Sequence, residues 1–200
     1  MSWSDAFARD GYGAPFPVLD AEAAARVRAA ADGALSRDGL DPRSRTQSRH
    51  LDVPALRELC EHPAILERVR AILGERIVLW RSNLFPKAPG EAEFTWHADR
   101  DHWKTLLDPM INVTAWIALE RADAENGALQ FRSRSSPERV LQTELDAGTC
   151  VLFDQDAQHR SGPNPTERRR LAIAVRYTVE GVRIDVERLF PGYRALALSR

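Results

Sequence analysis

The sequence predicts a mainly β fold with flanking helices, and three observations carry that reading. Short runs rich in β-branched and aromatic residues recur between residues 77 and 178, broken by Gly, Pro and Asp turns, the pattern of a sandwich or barrel of antiparallel strands. Before them lie Ala-rich runs with helix caps, and the change of character comes at Ile77. We therefore expect one domain over 1–200, mostly helical at 1–75, with a β core at 76–180 and a tail at 181–200.

The elements follow in order. Asp20 is suited to cap a helix over 21–35, which stops near Gly39. Asp52 and Pro54 open a second helix ending at Cys60, and Pro63 opens a third, 64–73, closed by Gly74. A strand is predicted over 77–85, stopped by Pro86 and by Pro89-Gly90. Further strands are predicted at 93–98, 111–120, 128–131, 139–142, 149–153 and 171–178. In the tail, Phe190-Pro191-Gly192-Tyr193 could pack over a barrel mouth or stay loose.

Two strands predict their own orientation. Ile111, Val113, Ala115, Ile117 and Leu119 form a wholly apolar face, while Asn112, Thr114, Trp116 and Ala118 form a mixed one. Side chains alternate across a strand, so the apolar face should meet the helices and the mixed face a polar pocket. On the last strand Arg170, Ala172, Ala174 and Arg176 share a face. The small alanines leave room for an anion between the arginines; the alternative is an outer edge with both arginines solvated.

Charged residues make up 28% and hydrophobic ones 44%, and the net charge is −1. Nothing in this balance suggests a nucleic-acid or membrane partner. The start of the chain has no basic segment leading into an apolar run, so no signal peptide is expected. No apolar run reaches the ~20 residues needed to span a bilayer. Cys60 and Cys150 are far apart in sequence and are expected to be reduced thiols in a cytoplasmic protein.

The chemistry concentrates in Trp96-His97-Ala98-Asp99. On an extended strand His97 and Asp99 would project to one face. With His159 they offer two imidazoles and a carboxylate, the facial set of non-haem Fe(II) oxygenases, which leaves metal positions open.

From about Arg45 to Val179 the motifs resemble the phytanoyl-CoA dioxygenase family of Fe(II)- and 2-oxoglutarate-dependent oxygenases. They are Leu79-Trp80-Arg81-Ser82-Asn83-Leu84-Phe85-Pro86-Lys87-Ala88-Pro89-Gly90, Trp96-His97-Ala98-Asp99, Asn112-Val113-Thr114-Ala115-Trp116-Ile117-Ala118-Leu119, Glu125-Asn126-Gly127-Ala128-Leu129, His159-Arg160-Ser161-Gly162-Pro163-Asn164 and Arg168-Arg169-Arg170-Leu171-Ala172. The resemblance implies a double-stranded β-helix, a cupin-like jelly-roll, with helices outside. It implies His97, Asp99 and His159 as catalytic metal ligands for Fe(II), with 2-oxoglutarate and O2 as co-substrates. Arg170 would bind the distal carboxylate of 2-oxoglutarate, with Trp116, Thr114 and Asn83 around it. Relatives often carry Gly-Ser-His where this chain has Arg134-Ser135-Ser136.

The expected reaction is hydroxylation of an unactivated C–H bond in a small polar metabolite, amino-acid-like or a natural-product intermediate, with release of succinate and CO2. Asp99 argues against halogenation, because related halogenases carry Ala or Gly there. His102, Trp103 and Arg176 are the candidate substrate contacts. Lys87 reads as a solvated turn residue, and His50 and His62 as helix-boundary residues. The alternatives are a cupin-like metal protein with non-redox chemistry, such as a Zn(II) hydrolase or isomerase, and a non-catalytic binding role.

Overall fold

The computed structural model describes residues 3–185, 189 and 193–198. The helical third contains α1 (Trp3–Asp10), α2 (Ala21–Leu35), α3 (Pro42–Thr46), α4 (Pro54–Cys60) and α5 (Pro63–Leu73), with the short strand β1 (Phe16–Pro17) between the first two helices. Asp20 caps α2 by accepting the amide of Ala23 at 2.8 Å, and Gly74 ends α5 at φ +87°. Both caps were predicted from the sequence. The helices α1 and α3 lie outside the predicted elements.

The remaining elements are β2 (Ile77–Lys87), β3 (Phe94–His97), α6 (Asp99–Trp103), β4 (Leu107–Asp108), β5 (Val113–Ala118), β6 (Leu129–Arg132), β7 (Val140–Gln142), β8 (Thr149–Asp154), β9 (His159–Ser161), β10 (Arg170–Val179), β11 (Arg183–Ile184) and β12 (Leu196–Ala197). The large sheet runs β1-β8-β5-β10-β2-β12 and the small one β3-β9-β6-β7, with β11-β4 as a separate pair. Every described pairing is antiparallel. This is the jelly-roll arrangement of two facing sheets.

Strand parity sorts the core into two layers. Val113, Ala115, Ile117 and Leu119 pack with Leu171, Ile173, Val175 and Tyr177 against Leu56, Leu59 and Ile65 of the helices. Trp116, Ala118, Ala172 and Ala174 face the other way and join Leu129 and Phe131 of the small sheet. The predicted face assignment of these strands therefore holds, and the alanines keep the space between the sheets open.

Two predictions are corrected and one strand is additional to them. The strand predicted to stop at Pro86 runs on to Lys87, with Pro86 opposite Leu171. Strand β12 covers β2 only at Val78 and Leu79, so Pro86 lies where that side of β2 is unpaired among the described residues and its missing N–H costs no ladder bond. The strand carrying His97 ends there, and Asp99 opens α6 instead. Ala98 keeps an extended backbone (φ −115°, ψ 147°), so the i, i+2 relation survives without a strand. The His159 segment is a strand, β9, which no β-branched run announced. In the tail, Tyr193 donates its hydroxyl to the carbonyl of Trp80 at 2.5 Å, while residues 190–192 lie outside the described residues.

Candidate metal centre and its pocket

Two strands and one helix start bring three ligating side chains together. His97 pairs directly with His159 across β3 and β9, with ring centroids 4.1 Å apart. Asp99 enters from the first position of α6. One ligating atom from each of His97, Asp99 and His159 lies within 4.8 Å of the others. It is the one such cluster among the described residues.

Hydrogen bonding fixes which atoms face the centre. The Nδ1 of His97 lies 2.9 Å from the carbonyl of Thr95, and that of His159 lies 2.9 Å from the carbonyl of Ala157. A carbonyl only accepts, so both Nδ1 atoms carry the proton and both Nε2 lone pairs are free for a cation. Burial lowers both imidazoles, His159 to about 4; both are neutral at pH 7, as metal ligands must be.

Asp99 is 2% exposed. Burial pushes its carboxyl upward, but the Arg176 guanidinium, His159 and the Thr114 hydroxyl outweigh this and hold it below the usual carboxylate range. A chain of donors orients it. Trp80 Nε1 donates to Asn112 Oδ1 at 2.9 Å, Asn112 Nδ2 donates to Thr114 Oγ1 at 3.0 Å, and Thr114 Oγ1 donates to Asp99 Oδ2 at 2.5 Å. An indole N–H cannot accept, which sets the Asn112 amide. The amide then occupies the Thr114 lone pair, and the hydroxyl proton has one direction left. Asp99 Oδ1 has no hydrogen-bond partner among the described residues. The Thr114 hydroxyl, expected near a co-substrate, is thus engaged with Asp99.

The centre opens into a cavity of about 640 Å³ between the sheets. Arg170, 4% exposed, stands at one end. Its Cζ lies 5.2 Å over the Trp116 ring, and its Nε and Nη1 have no hydrogen-bond partner among the described residues. Burial lowers its guanidinium to about 10. Lys87 pairs with Arg170 across β2 and β10 and donates to Ser161 Oγ at 3.1 Å. At 3% exposure it is no solvated turn residue, which corrects the sequence reading. Gly127, at φ +84°, packs beneath it: a Cβ there would sit 2.5 Å from the Gly162 carbonyl and 3.0 Å from Lys87 Cδ. The Glu-Asn-Gly motif thus shapes this end of the pocket, with Asn126 tying its own turn to the carbonyl of Arg121.

Asn83 sits farther along the same face. Its Oδ1 accepts from Arg81 Nε and Arg176 Nη1, both at 3.0 Å. His102 and Trp103 project from α6 into the same cavity, with the His102 ring 5.0 Å from His97. Sequence reasoning missed Arg81, Asn112 and Ser161. Parity was the available signal: Arg81 shares a face with Asn83 and Lys87, Asn112 with Thr114, and Ser161 with His159. Arg168 pairs with Asp123, and Arg169 with Glu120 and Asp32. His50 is buried against Ser82, Nδ1 to Oγ 2.6 Å, and His62 caps α5. No described helix is long and apolar enough to cross a membrane.

The family described as Phytanoyl-CoA dioxygenase (PhyH) matches residues 7–135. Among curated proteins the chain is 25% identical to dioxygenase lolE1 of Epichloe uncinata over 159 residues, which cover 70% of this chain and 61% of that protein. It is 27% identical to the 2-aminoethylphosphonate dioxygenase of uncultured bacterium HF130_AEPn_1 over 128 residues, 54% of this chain and 48% of that one. The chain thus spans about half to three-fifths of the length of these relatives. Among solved structures it superposes on CytC3 with Fe(II) and alpha-ketoglutarate at a TM-score of 0.76 and 26% identity, covering 95% of this chain and 79% of that one. The fold also matches the non-heme monooxygenase ThoJ–Ni complex, with a TM-score of 0.85, 24% identity, and 100% and 84% coverage.

Proposed function

Because this chain belongs to the phytanoyl-CoA dioxygenase family, we propose that it is an Fe(II)- and 2-oxoglutarate-dependent oxygenase that hydroxylates a C–H bond of a small polar metabolite. The observation that carries this reading is the convergence of two neutral Nε2 atoms and one carboxylate oxygen. That donor set suits Fe(II) and leaves metal positions open for a chelating co-substrate and O2. His97, Asp99 and His159 would hold the metal. The pocket fits the co-substrate too: Arg170 has two buried guanidinium nitrogens without a partner, a charge that is costly to bury unless an anion meets it.

Bound Fe(II), 2-oxoglutarate and O2 together supply the oxidising chemistry, converting 2-oxoglutarate to succinate and CO2 as oxygen enters the C–H bond. The chain's own groups place the reactants. Arg170 takes the distal carboxylate in a two-pronged contact, and Lys87, held by Ser161, adds a second positive charge beside it. Trp116 walls the co-substrate against the sheet. The Trp80–Asn112–Thr114 chain keeps Asp99 turned toward the metal. Trp103 and His102 cover the substrate side and limit the entry of water. The small cavity and the phosphonate-acting relative support a compact polar substrate. The buried Arg170–Lys87 pair matches the distal carboxylate of 2-oxoglutarate, and together with the family it favours the oxygenase reading over a zinc hydrolase.

The test is succinate release. Purified protein with Fe(II), 2-oxoglutarate and air should form succinate slowly without a primary substrate, and His97→Ala should abolish it. Succinate formation that is equal in wild type and His97→Ala, or absent from both, contradicts the proposal.

A further inference from the structure

Among the described residues lining the cavity, four buried cations are each 5% exposed or less: Arg81, Lys87, Arg170 and Arg176. The ladder between β2 and β10 sorts them into two pairs, Lys87 opposite Arg170 and Arg81 opposite Arg176. Six residues separate the pairs along β10, roughly 20 Å at strand rise. Only Phe85, Ala172, Asn83 and Ala174 lie between them on that face. A dicarboxylate co-substrate answers the first pair. Nothing yet described answers the second.

The second pair is built with care for geometry and not for charge. Asn83 Oδ1 accepts one N–H from each arginine. The two guanidinium carbons stand 4.8 Å and 4.9 Å over the Trp103 ring, within cation–π range. The one carboxylate in ion-pair range is Asp99, 3.6 Å from Arg176 Nε. That distance is too long for a hydrogen bond, and Arg176 Nε has no hydrogen-bond partner among the described residues. Arg81 has no carboxylate within ion-pair range among the described residues. Burial, and then the charge of Arg176, lower its guanidinium to about 10. Two neighbouring buried guanidiniums whose one nearby anion is a metal ligand are an unfavourable arrangement unless a further anion joins them.

We propose that Arg81 and Arg176 form an anion-binding subsite that grips an acidic group of the substrate, a phosphonate or a carboxylate. This inference rests on the oxygenase reading, because it assigns the first pair to the co-substrate and Asp99 to the metal. Its consequence is orientation. An acid group at Arg176 would lie close to Asp99, so the reacting carbon is one near that group. Asn83, expected beside the co-substrate, is instead a positioning residue for the arginine pair.

The experiment is calorimetry on anaerobic protein loaded with Fe(II) and 2-oxoglutarate. The probes are 2-aminoethylphosphonate, its carboxylate counterpart β-alanine, and propylamine, which has no acid group. We expect saturable binding of at least one acid and none of propylamine; the tighter acid identifies the group recognised. Arg81→Gln should weaken that acid roughly tenfold or more, the worth of a charge-assisted contact, and leave 2-oxoglutarate affinity nearly unchanged. Arg81→Lys keeps the charge without the fork and should fall between; it also serves if the Gln variant does not fold. Acid binding absent from wild type, or equal in wild type and Arg81→Lys and Arg81→Gln, overturns the subsite. Uptake of 2-oxoglutarate is read first and separately. If it fails while Arg81-dependent acid binding persists, the oxygenase reading falls and the subsite stands.

Discussion

Thr114→Val isolates the hydroxyl that orients Asp99. The substitution keeps shape at a fully buried position and removes one donor, the 2.5 Å contact to Asp99 Oδ2. An O–H donated to a carboxylate at that distance is charge-assisted, worth about 1.5–3 kcal/mol. The next donor, Asn112 Nδ2, stands 3.5 Å from the same oxygen and is engaged by Thr114 itself, so it replaces only part of the loss. At ~1.4 kcal/mol per factor of ten, metal affinity should fall about 10- to 100-fold, in line with removal of an outer partner of a metal ligand. The assay is competitive titration of Co(II) or Fe(II) against a chromophoric chelator. In metal-saturated protein, 2-oxoglutarate affinity should change little. Unchanged metal affinity with weakened 2-oxoglutarate binding would refute the reasoning and return Thr114 to the co-substrate end of the pocket.

Other expectations follow from the same geometry. Arg170→Lys retains charge but loses the two-pronged contact, so 2-oxoglutarate should bind roughly tenfold or more weakly, measured by calorimetry with metal affinity as the control. Gly127→Ala combines a positive φ with a Cβ 2.5 Å from the Gly162 carbonyl; urea unfolding should show a loss of about 2–4 kcal/mol. Burial first, then Arg57 and Arg194, depress His50 to about 4 from 6.5. A group depressed on folding contributes stability above its unfolded pKa and loses it as pH falls toward the folded one. About 3 kcal/mol should therefore disappear between pH 6.5 and 4, and urea unfolding of His50→Gln should show a shallower fall over that range.

Much of this architecture was legible because parity and caps are local. The alternation of residues 111–119 fixed which face of β5 meets the helices, and Asp20, Pro63 and Gly74 fixed α2 and α5. His97, Asp99 and His159 stood out because a spacing of two suffices to join the first two on one face, whether or not the second belongs to a strand. What failed was non-local. Lys87 follows a proline and precedes Pro89-Gly90, the signature of a turn, yet pairing with β10 extends β2 through it. The role of Thr114 depended on a donor chain that begins at Trp80, 34 residues earlier in sequence, and no pattern within one strand reveals it. Parity places Arg81 on the pocket face, but its role depends on the partner opposite, Arg176.

The central claim is that His97, Asp99 and His159 hold a redox metal that 2-oxoglutarate chelates. Anaerobic addition of 2-oxoglutarate to the Fe(II)-loaded protein tests it most directly. The account predicts a weak visible metal-to-ligand absorption that saturates at one equivalent per chain and vanishes in His159→Ala. Tight Fe(II) binding with no such absorption, or an absorption that survives loss of His159, would contradict it.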